Sequence, residues 1–263
     1  MASLVWGRDP QEAFEEPYEY GIQDQFEREA TPLFRQLYKL LNSDQYHYTV
    51  EDRSCEKAVW LLAMDALDSL RDCLGALIRK DHRVAGKLFR NILESMDLAA
   101  YFHSATEKSR VSLEKWFGDE IVPHREYRNY VKRTQSAKAA ERLAKHYSSL
   151  SRFTHRSYRA ILDGYSRGGE NRLVHDGIAE LCGSREGAAY LLVLPQTIAY
   201  YYAMLANLAL EYATELSEIG LVTPENIRDA FMASLESETV PRRFFPRRWL
   251  EARLQGAGAQ DME

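Results

Sequence analysis

The sequence feature that most constrains the fold is the two-faced stretch from Arg83 to His103. Its apolar residues recur every three or four positions, which places them on one side of an α-helix at 100° per residue. The apolar side comprises Val84, Leu88, Phe89, Ile92, Leu93, Met96 and Ala99. The opposite side carries Arg83, Lys87, Arg90, Glu94, Asp97 and Tyr101. Such a helix has to bury its apolar side against other helices, so the stretch predicts a helical bundle.

The neighbouring segments predict that this bundle is all-α. The stretch from Glu51 to Arg79 has an amphipathic helical pattern, and the short link at Asp81 predicts antiparallel pairing with the Arg83 helix. The stretch from Ala188 to Ile219 is apolar almost all round, which is typical of a helix at the centre of a bundle. We find no segment with the two-residue period of a strand.

Three regions are predicted along the chain. Residues 1–30 form an acidic N-terminal arm, residues 31–236 form the bundle, and residues 237–263 form a basic, aromatic tail with a disordered end. The bundle is expected to begin with a helix at Thr31, because Thr followed by Pro matches an N-cap and a first helical position. The tail carries Arg242, Arg243, Phe244, Phe245, Arg247, Arg248 and Trp249. These residues either bind phosphates or anchor the tail on the bundle.

Composition and charge exclude several classes of protein. A net charge of -5 excludes a wholly basic nucleic-acid coat, although it allows a local basic patch. The three cysteines have no CxxC spacing, so we expect neither a disulfide framework nor a zinc site. The N-terminus has no apolar leader and no apolar run approaches about 20 residues, so we expect a cytoplasmic protein without membrane contact. No cofactor motif is present, and no cofactor is expected.

A strongly charged stretch from His124 to His146 is a candidate nucleic-acid surface. Its basic residues are His124, Arg125, Arg128, Lys132, Arg133, Lys138, Arg142, Lys145 and His146. Tyrosines 127, 130 and 147 are interleaved with them. A helix of this composition can lie along phosphates while its tyrosines stack on single-stranded bases. A plain charged surface helix is the alternative.

A second polar side occurs in the stretch from Tyr147 to Tyr158, where Ser148, Arg152, His155 and Arg159 follow one another at helical spacing. If it covers the Arg90 and Glu94 side of the first helix, each buried charge has to be paired. Such a contact can hold His155 poised near neutral pH. The contact is either a structural link between helices or a functional site.

Acidic residues offer a further, oxygen-only metal site. Asp65, Asp68 and Asp72 share one side of their helix and could reach Glu94 and Asp97 across the helix pair, as magnesium or manganese would require. The chain has neither a Glu-x-x-His pair nor HExxH, so a di-iron or zinc site is not expected. A solvated acidic surface is the alternative reading of the three aspartates.

Two short motifs carry a resemblance. An R-x-x-x-E helix occurs at Arg90 and Glu94, and Y-x-x-L-S-x-x-x-H follows as Tyr147, Leu150, Ser151 and His155. In this the chain resembles a bacterial family of unassigned activity that is similar to the HEPN helical bundles. Those bundles include ribonuclease toxins and effectors of antiviral defence, and they commonly act as dimers. The resemblance implies an all-α HEPN-like homodimer from a bacterial defence or toxin system.

One departure separates this chain from the ribonucleases of that class. Those ribonucleases are similar in having an Arg followed by a His, with four to six residues between the two. None of the seven histidines here has an Arg at this spacing before it. The resemblance therefore implies a binding or regulatory module for a protein or a single-stranded RNA. The alternative is a metal-independent ribonuclease that uses His155 and Arg152, with Arg90 and Glu94 as orienting groups.

Overall fold

The computed structural model describes residues 18–79, 81–134, 141, 144–145, 147–148, 150–151, 158, 161, 165–167, 173–175, 195–235 and 244–245. The helices with defined bounds are α1 (Tyr18–Leu41), α2 (Cys55–Ile78), α3 (His82–His103), α4 (Glu107–Phe117), α5 (His124–Thr134), α6 (Pro195–Glu218) and α7 (Pro224–Leu235). Residues 147, 148, 150 and 151, called here the 147–151 segment, are also helical. The all-α class predicted from the sequence is confirmed for this part of the chain.

Two short strands are the departure from the sequence prediction. Strands β1 (Tyr165–Arg167) and β2 (Leu173–His175) pair antiparallel, with Ser166 opposite Val174. Each strand has three residues, which is too short for an alternating apolar pattern to be recognised. The expectation of no strand is therefore wrong at this one hairpin.

Helices α2 and α3 form the framework of the bundle. Ser54 accepts a hydrogen bond from the Lys57 backbone N–H at 3.2 Å and so caps the start of α2. Cys55 at the start of α2 donates its thiol to the Phe102 carbonyl near the end of α3, at 3.2 Å. Further along, Ser95 donates to Asp65 at 2.6 Å. These pairings run in opposite order along the two helices, so α2 and α3 are antiparallel.

Helix α6 packs against α1, α2 and α3. Its buried residues include Tyr201, Tyr202, Leu205 and Tyr212, and the Tyr212 hydroxyl donates to the Ala63 carbonyl at 3.0 Å. Its apolar sides pack on these neighbours, while Ala203, Asn207 and Glu211 at helical spacing form an exposed side. It begins at Pro195, the position where a missing backbone N–H removes no helical hydrogen bond. Residues 188–194 of the predicted helix lie outside the described residues.

Helix α1 begins earlier than predicted. It extends from Tyr18 with Pro32 in its interior, although the sequence analysis placed its start at Thr31. Phe26 and Ala30 are fully buried, and this burial outweighs the hydrogen bond that Pro32 cannot donate within the helix. The boundary predicted between an acidic arm and the bundle at residue 31 is therefore wrong, because residues 18–30 belong to the bundle.

Part of the C-terminal tail also joins the core. Phe245 is fully buried, and Phe244 and Phe245 both contact the ring of Phe26. The buried carboxylate of Glu29 accepts the backbone N–H groups of Phe244 at 2.8 Å and Phe245 at 3.1 Å. Of the two roles open for the tail, anchoring is thus realised at these two aromatic residues. The four arginines and Trp249 lie outside the described residues.

The two faces of α3 differ from the helical-wheel prediction at their edges. Val84 is 45% exposed although it was assigned to the apolar side, because α2 and α6 cover the helix only on other sides there. Tyr101 is buried although its position predicts the polar side, and its hydroxyl pairs with Ser112 of α4 at 3.3 Å.

Among the described helices, none combines the length and the apolar run that crossing a bilayer requires.

Candidate functional site

Arg90 and Glu94 form a half-buried ion pair on the polar side of α3. Arg90 Nε donates to Glu94 Oε1 at 2.6 Å, and the two side chains are 17% and 19% exposed. An exposed pair at this spacing contributes only about 0.2–0.5 kcal/mol. In a partly buried pair, by contrast, removal of one partner leaves the other charge without compensation. The two residues singled out by the R-x-x-x-E motif are therefore held together inside the fold.

Helix α5 brings two more nitrogen groups to the same carboxylate. Arg128 Nη2 lies 3.4 Å from Glu94 Oε1, and His124 Nδ1 lies 3.3 Å from it. Tyr127 and Val131 are buried, which fixes the side of α5 that faces α3. The His124 ring also pairs with the Tyr127 hydroxyl. Glu94 is thus shared by two guanidinium groups and a histidine.

Tyr147 adds a third element to this cluster. Its hydroxyl donates to Asp97 Oδ2 at 2.6 Å, and the Arg128 guanidinium lies 3.8 Å above the centre of its ring. Burial raises the pKa of Asp97 to about 6, although the Tyr147 hydrogen bond and the charge of Arg128 act in the opposite direction. Burial and the Asp97 carboxylate also raise the pKa of Tyr147 above its ordinary value, so its hydroxyl stays a donor.

Helix α6 contributes carboxyl groups close enough to interact electrostatically with Asp97. Burial, followed by the nearby carboxylates of Glu218, Asp97 and Glu211, raises the pKa of Glu215 to about 8. A carboxyl group with this pKa holds its proton at neutral pH for much of the time. Glu215 therefore adds less negative charge near Asp97 than an ordinary glutamate would.

A pocket of about 220 Å³ opens beside Arg128. It is lined by Arg128, Lys132, Ala144, Tyr147, Ser148 and Ser151. Arg128 Nε is buried, and none of the described residues accepts a hydrogen bond from it. The described lining of this small concavity between α5 and the 147–151 segment thus includes two cationic side chains and the exposed Ser148 hydroxyl.

The predicted basic surface is divided by the structure into exposed and inward residues. Arg125, Lys132 and Arg133 on α5 are exposed, as a surface that contacts a partner requires. Lys145 is exposed and pairs with Glu141 at 2.9 Å. Arg128 is instead turned toward Glu94 and Tyr147, and its predicted binding role stays a prediction. The reason for this inward orientation is its place on the helix, three residues before the buried Val131.

Of the second polar side predicted from the sequence, only Ser148 belongs to the described residues. Ser148 is exposed at the pocket, whereas Arg152, His155 and Arg159 lie outside the described residues, as do Lys138, Arg142 and His146. The expected cover over Arg90 and Glu94 is supplied within the described part by Arg128, and Tyr147 covers the neighbouring Asp97. Tyr147 and Leu150 of the same segment are buried, while Tyr158 is 77% exposed.

Two features of the cluster were not predicted from the sequence, namely the hydrogen bond between Tyr147 and Asp97 and the environment of Glu215. The pairing of Tyr147 with Asp97 had a signal, because Tyr147 belongs to the second motif and Asp97 lies three residues after Glu94 on the same side of α3. Glu215 had no such signal. The environment of Glu215 depends on how α6 packs against α3. The spacing of residues within α6 does not predict this packing.

The alternative metal site does not form. Asp65 accepts from Ser95 at 2.6 Å, Asp68 pairs with Tyr38 and Arg71, and Asp72 pairs with Arg71 at 3.0 Å. Asp65 is thus directed to α3, whereas Asp68 and Asp72 share Arg71. No three His, Cys, Asp or Glu residues within the described ranges could hold one metal ion together.

Comparisons with known proteins leave the chain without an assigned family. No protein-family model matches it, and neither a curated protein nor a solved structure does. The chemistry of the cluster and its pocket is therefore the basis for a functional conclusion.

Proposed function

We propose that the protein is a HEPN-like helical module that binds single-stranded RNA, with a regulatory role in a bacterial antiviral defence or toxin system. The RNA-binding part is supported by the exposed Arg125, Lys132 and Arg133 on α5 and by the pocket beside Lys132, whose described lining includes Arg128 and the exposed Ser148 hydroxyl. Lysine and arginine side chains supply the phosphate contacts that dominate nucleic-acid affinity. The defence setting is inferred from the family resemblance alone.

The arrangement of Arg90 and Glu94 supports binding rather than catalysis. Arg90 donates to Glu94 at 2.6 Å, and Glu94 also lies near Arg128. Arg90 and Glu94 are therefore both engaged in internal contacts. A catalytic arginine has to aim its donors at the charge that develops on a reacting phosphate. We therefore assign Arg90 and Glu94 the positioning of Arg128 beside the pocket.

A metal-independent ribonuclease is the second candidate. The observation that favours it is the position of the 147–151 segment, which leads directly to Arg152 and His155 and lies against Arg128. In such an enzyme His155 would act as acid and base, and arginine would stabilise the phosphate charge. The HEPN resemblance implies a homodimer, and a second copy could supply an arginine that the local Arg–His spacing does not provide. Light scattering would measure whether the protein is a dimer.

One experiment separates the two candidates. The protein is incubated with a mixed single-stranded RNA pool in EDTA, and both retardation in a gel and cleavage are scored for wild type and His155→Ala. The binding module predicts retardation without cleavage by both proteins. Cleavage by wild type and not by His155→Ala would establish the nuclease and reject the module. Absence of both effects would reject RNA as the ligand and favour a protein partner.

A further inference from the structure

The pocket between α5 and the 147–151 segment has the chemistry of an anion site. Arg128 and Lys132 stand one helical turn apart on α5, and both line it. Ser148 contributes an exposed hydroxyl that can donate to a ligand, whereas Ser151 donates its only hydroxyl proton to the Tyr147 carbonyl at 2.9 Å and offers none to an anion. Among the described residues that line the pocket, none carries a carboxylate. A group with several acceptor oxygens and negative charge fits this lining best.

Arg128 is held in place before any ligand arrives. Its guanidinium lies on the Tyr147 ring at 3.8 Å and on Glu94 at 3.4 Å. Glu94 is shared with Arg90 at the shorter distance of 2.6 Å, so it compensates the charge of Arg128 only in part. Asp97, which accepts from Tyr147, provides further negative charge near Arg128. A pre-positioned arginine loses little side-chain entropy on binding a phosphate, which favours affinity.

The size of the pocket limits what it can hold. Pockets for drug-sized ligands begin at roughly 300 Å³, and this pocket measures about 220 Å³. It therefore suits one small charged group rather than a base and its sugar together with several phosphates. A terminal phosphate carries a charge of about -1.5 to -2 and three acceptor oxygens, whereas an internal phosphodiester carries a single charge.

We propose that this pocket binds the terminal phosphate of a nucleotide, carried either by a free mononucleotide or by the end of an RNA strand. The inference rests on the proposed RNA-binding function, which it deepens by naming the group that is recognised. Lys132 and Arg128 contact the phosphate oxygens, Ser148 donates a hydrogen bond from the rim, and the exposed Arg125 and Arg133 contact the strand that follows.

The test uses short RNA oligonucleotides that differ only at their ends. Fluorescence anisotropy measures the affinity for a strand with a 5′-phosphate, one with a 3′-phosphate and one with hydroxyl groups at both ends. We expect wild type to bind one phosphorylated strand about tenfold more tightly than the hydroxyl strand, the effect of roughly one charge-assisted hydrogen bond. Calorimetry with AMP and with adenosine tests whether a free mononucleotide suffices.

Lys132 and Arg133 provide a matched pair of variants, because both are exposed on α5 and only Lys132 lines the pocket. Lys132→Ala and Ser148→Ala should abolish the preference for the phosphorylated strand. Arg133→Ala should weaken all strands alike and keep the preference. Arg128 is left unchanged, because its loss would also uncover Glu94 and Tyr147 in the fold.

The outcomes separate this inference from the proposed function. Equal affinity for all strands, or equal effects of Lys132→Ala and Arg133→Ala, would overturn the terminal-phosphate site while leaving RNA binding in place. Binding of AMP without binding of any RNA strand would support the site and reject the RNA module. If neither RNA nor AMP binds, both proposals fail.

Discussion

Glu94 is the residue on which the cluster depends most. It accepts from Arg90 at 2.6 Å and lies near Arg128 and His124, while its own side chain is 19% exposed. The sequence indicated the pair with Arg90, since a spacing of four residues places both on one side of a helix. It could not indicate Arg128, because that contact depends on how α5 crosses α3. Local spacing therefore predicted half of the cluster, and tertiary packing supplied the rest.

The Glu94→Gln substitution should destabilise the protein by about 2–4 kcal/mol. It keeps the shape of the side chain and removes the charge that compensates two partly buried guanidinium groups. Urea unfolding followed by circular dichroism measures the change in the free energy of unfolding. The control is Glu141→Gln, which breaks the exposed pair with Lys145 and should cost less than about 0.5 kcal/mol. Equal effects of the two substitutions would contradict the positioning role of Glu94.

The Glu215→Gln substitution should make the protein more stable at high pH. Glu215 has a pKa of about 8 in the folded protein, against 4.5 as its ordinary value. The folded state therefore holds this proton more tightly, and the contribution to stability is complete below pH 4.5 and lost as pH rises through 8. At pH 5 wild type and variant should be similarly stable. At pH 9 the variant should be more stable by up to a few kcal/mol.

Urea unfolding at the two pH values measures this effect. The exposed Glu225→Gln serves as the control, and it should follow wild type at both. Asp97, whose pKa is raised to about 6, adds a smaller change of the same sign at lower pH in both proteins. A difference between Glu215→Gln and wild type that stays constant from pH 5 to pH 9 would show that Glu215 is not a buried acid.

At the scale of elements, the dipeptide Thr-Pro stands at the start of one helix and inside another. Thr223 followed by Pro224 begins α7, and Thr223 Oγ1 accepts the backbone N–H of Asn226 at 3.2 Å. Gly220 precedes it in a left-handed conformation, which ends α6. Thr31 followed by Pro32 lies inside α1, because Phe26 is buried upstream and favours continuation. Capping residues predict a helix start only where the preceding residues have no core to join.

The Phe245→Ala substitution tests whether the C-terminal tail is part of the bundle. Phe245 is fully buried against Phe26, so its truncation should cost about 3–5 kcal/mol in the free energy of unfolding. Tyr158→Ala removes an aromatic side chain that is 77% exposed and should change stability by less than about 0.5 kcal/mol. A small effect of Phe245→Ala, similar to that of Tyr158→Ala, would mean that the tail is dispensable for the fold.

At the scale of the whole molecule, the cluster lies where three elements meet. Helix α3 provides Glu94 and Asp97, α5 provides Arg128, and the 147–151 segment provides Tyr147. The helical class was predictable because apolar periodicity survives in each helix separately. The pocket was not, because its lining comes from segments whose relative placement no periodicity encodes. A net charge of -5 is compatible with RNA binding because the exposed cations of α5 are concentrated on one side.

The most direct test of RNA binding by α5 is the salt dependence of affinity for single-stranded RNA. We expect log K to fall linearly with log salt for wild type. The double substitution Arg125→Gln and Arg133→Gln should reduce the slope by about 1.4, since each lost phosphate contact reduces it by about 0.7. The control, Arg35→Gln with Lys39→Gln on exposed positions of α1, should leave the slope unchanged. Equal slopes for all three proteins would contradict the assignment of the RNA surface to α5.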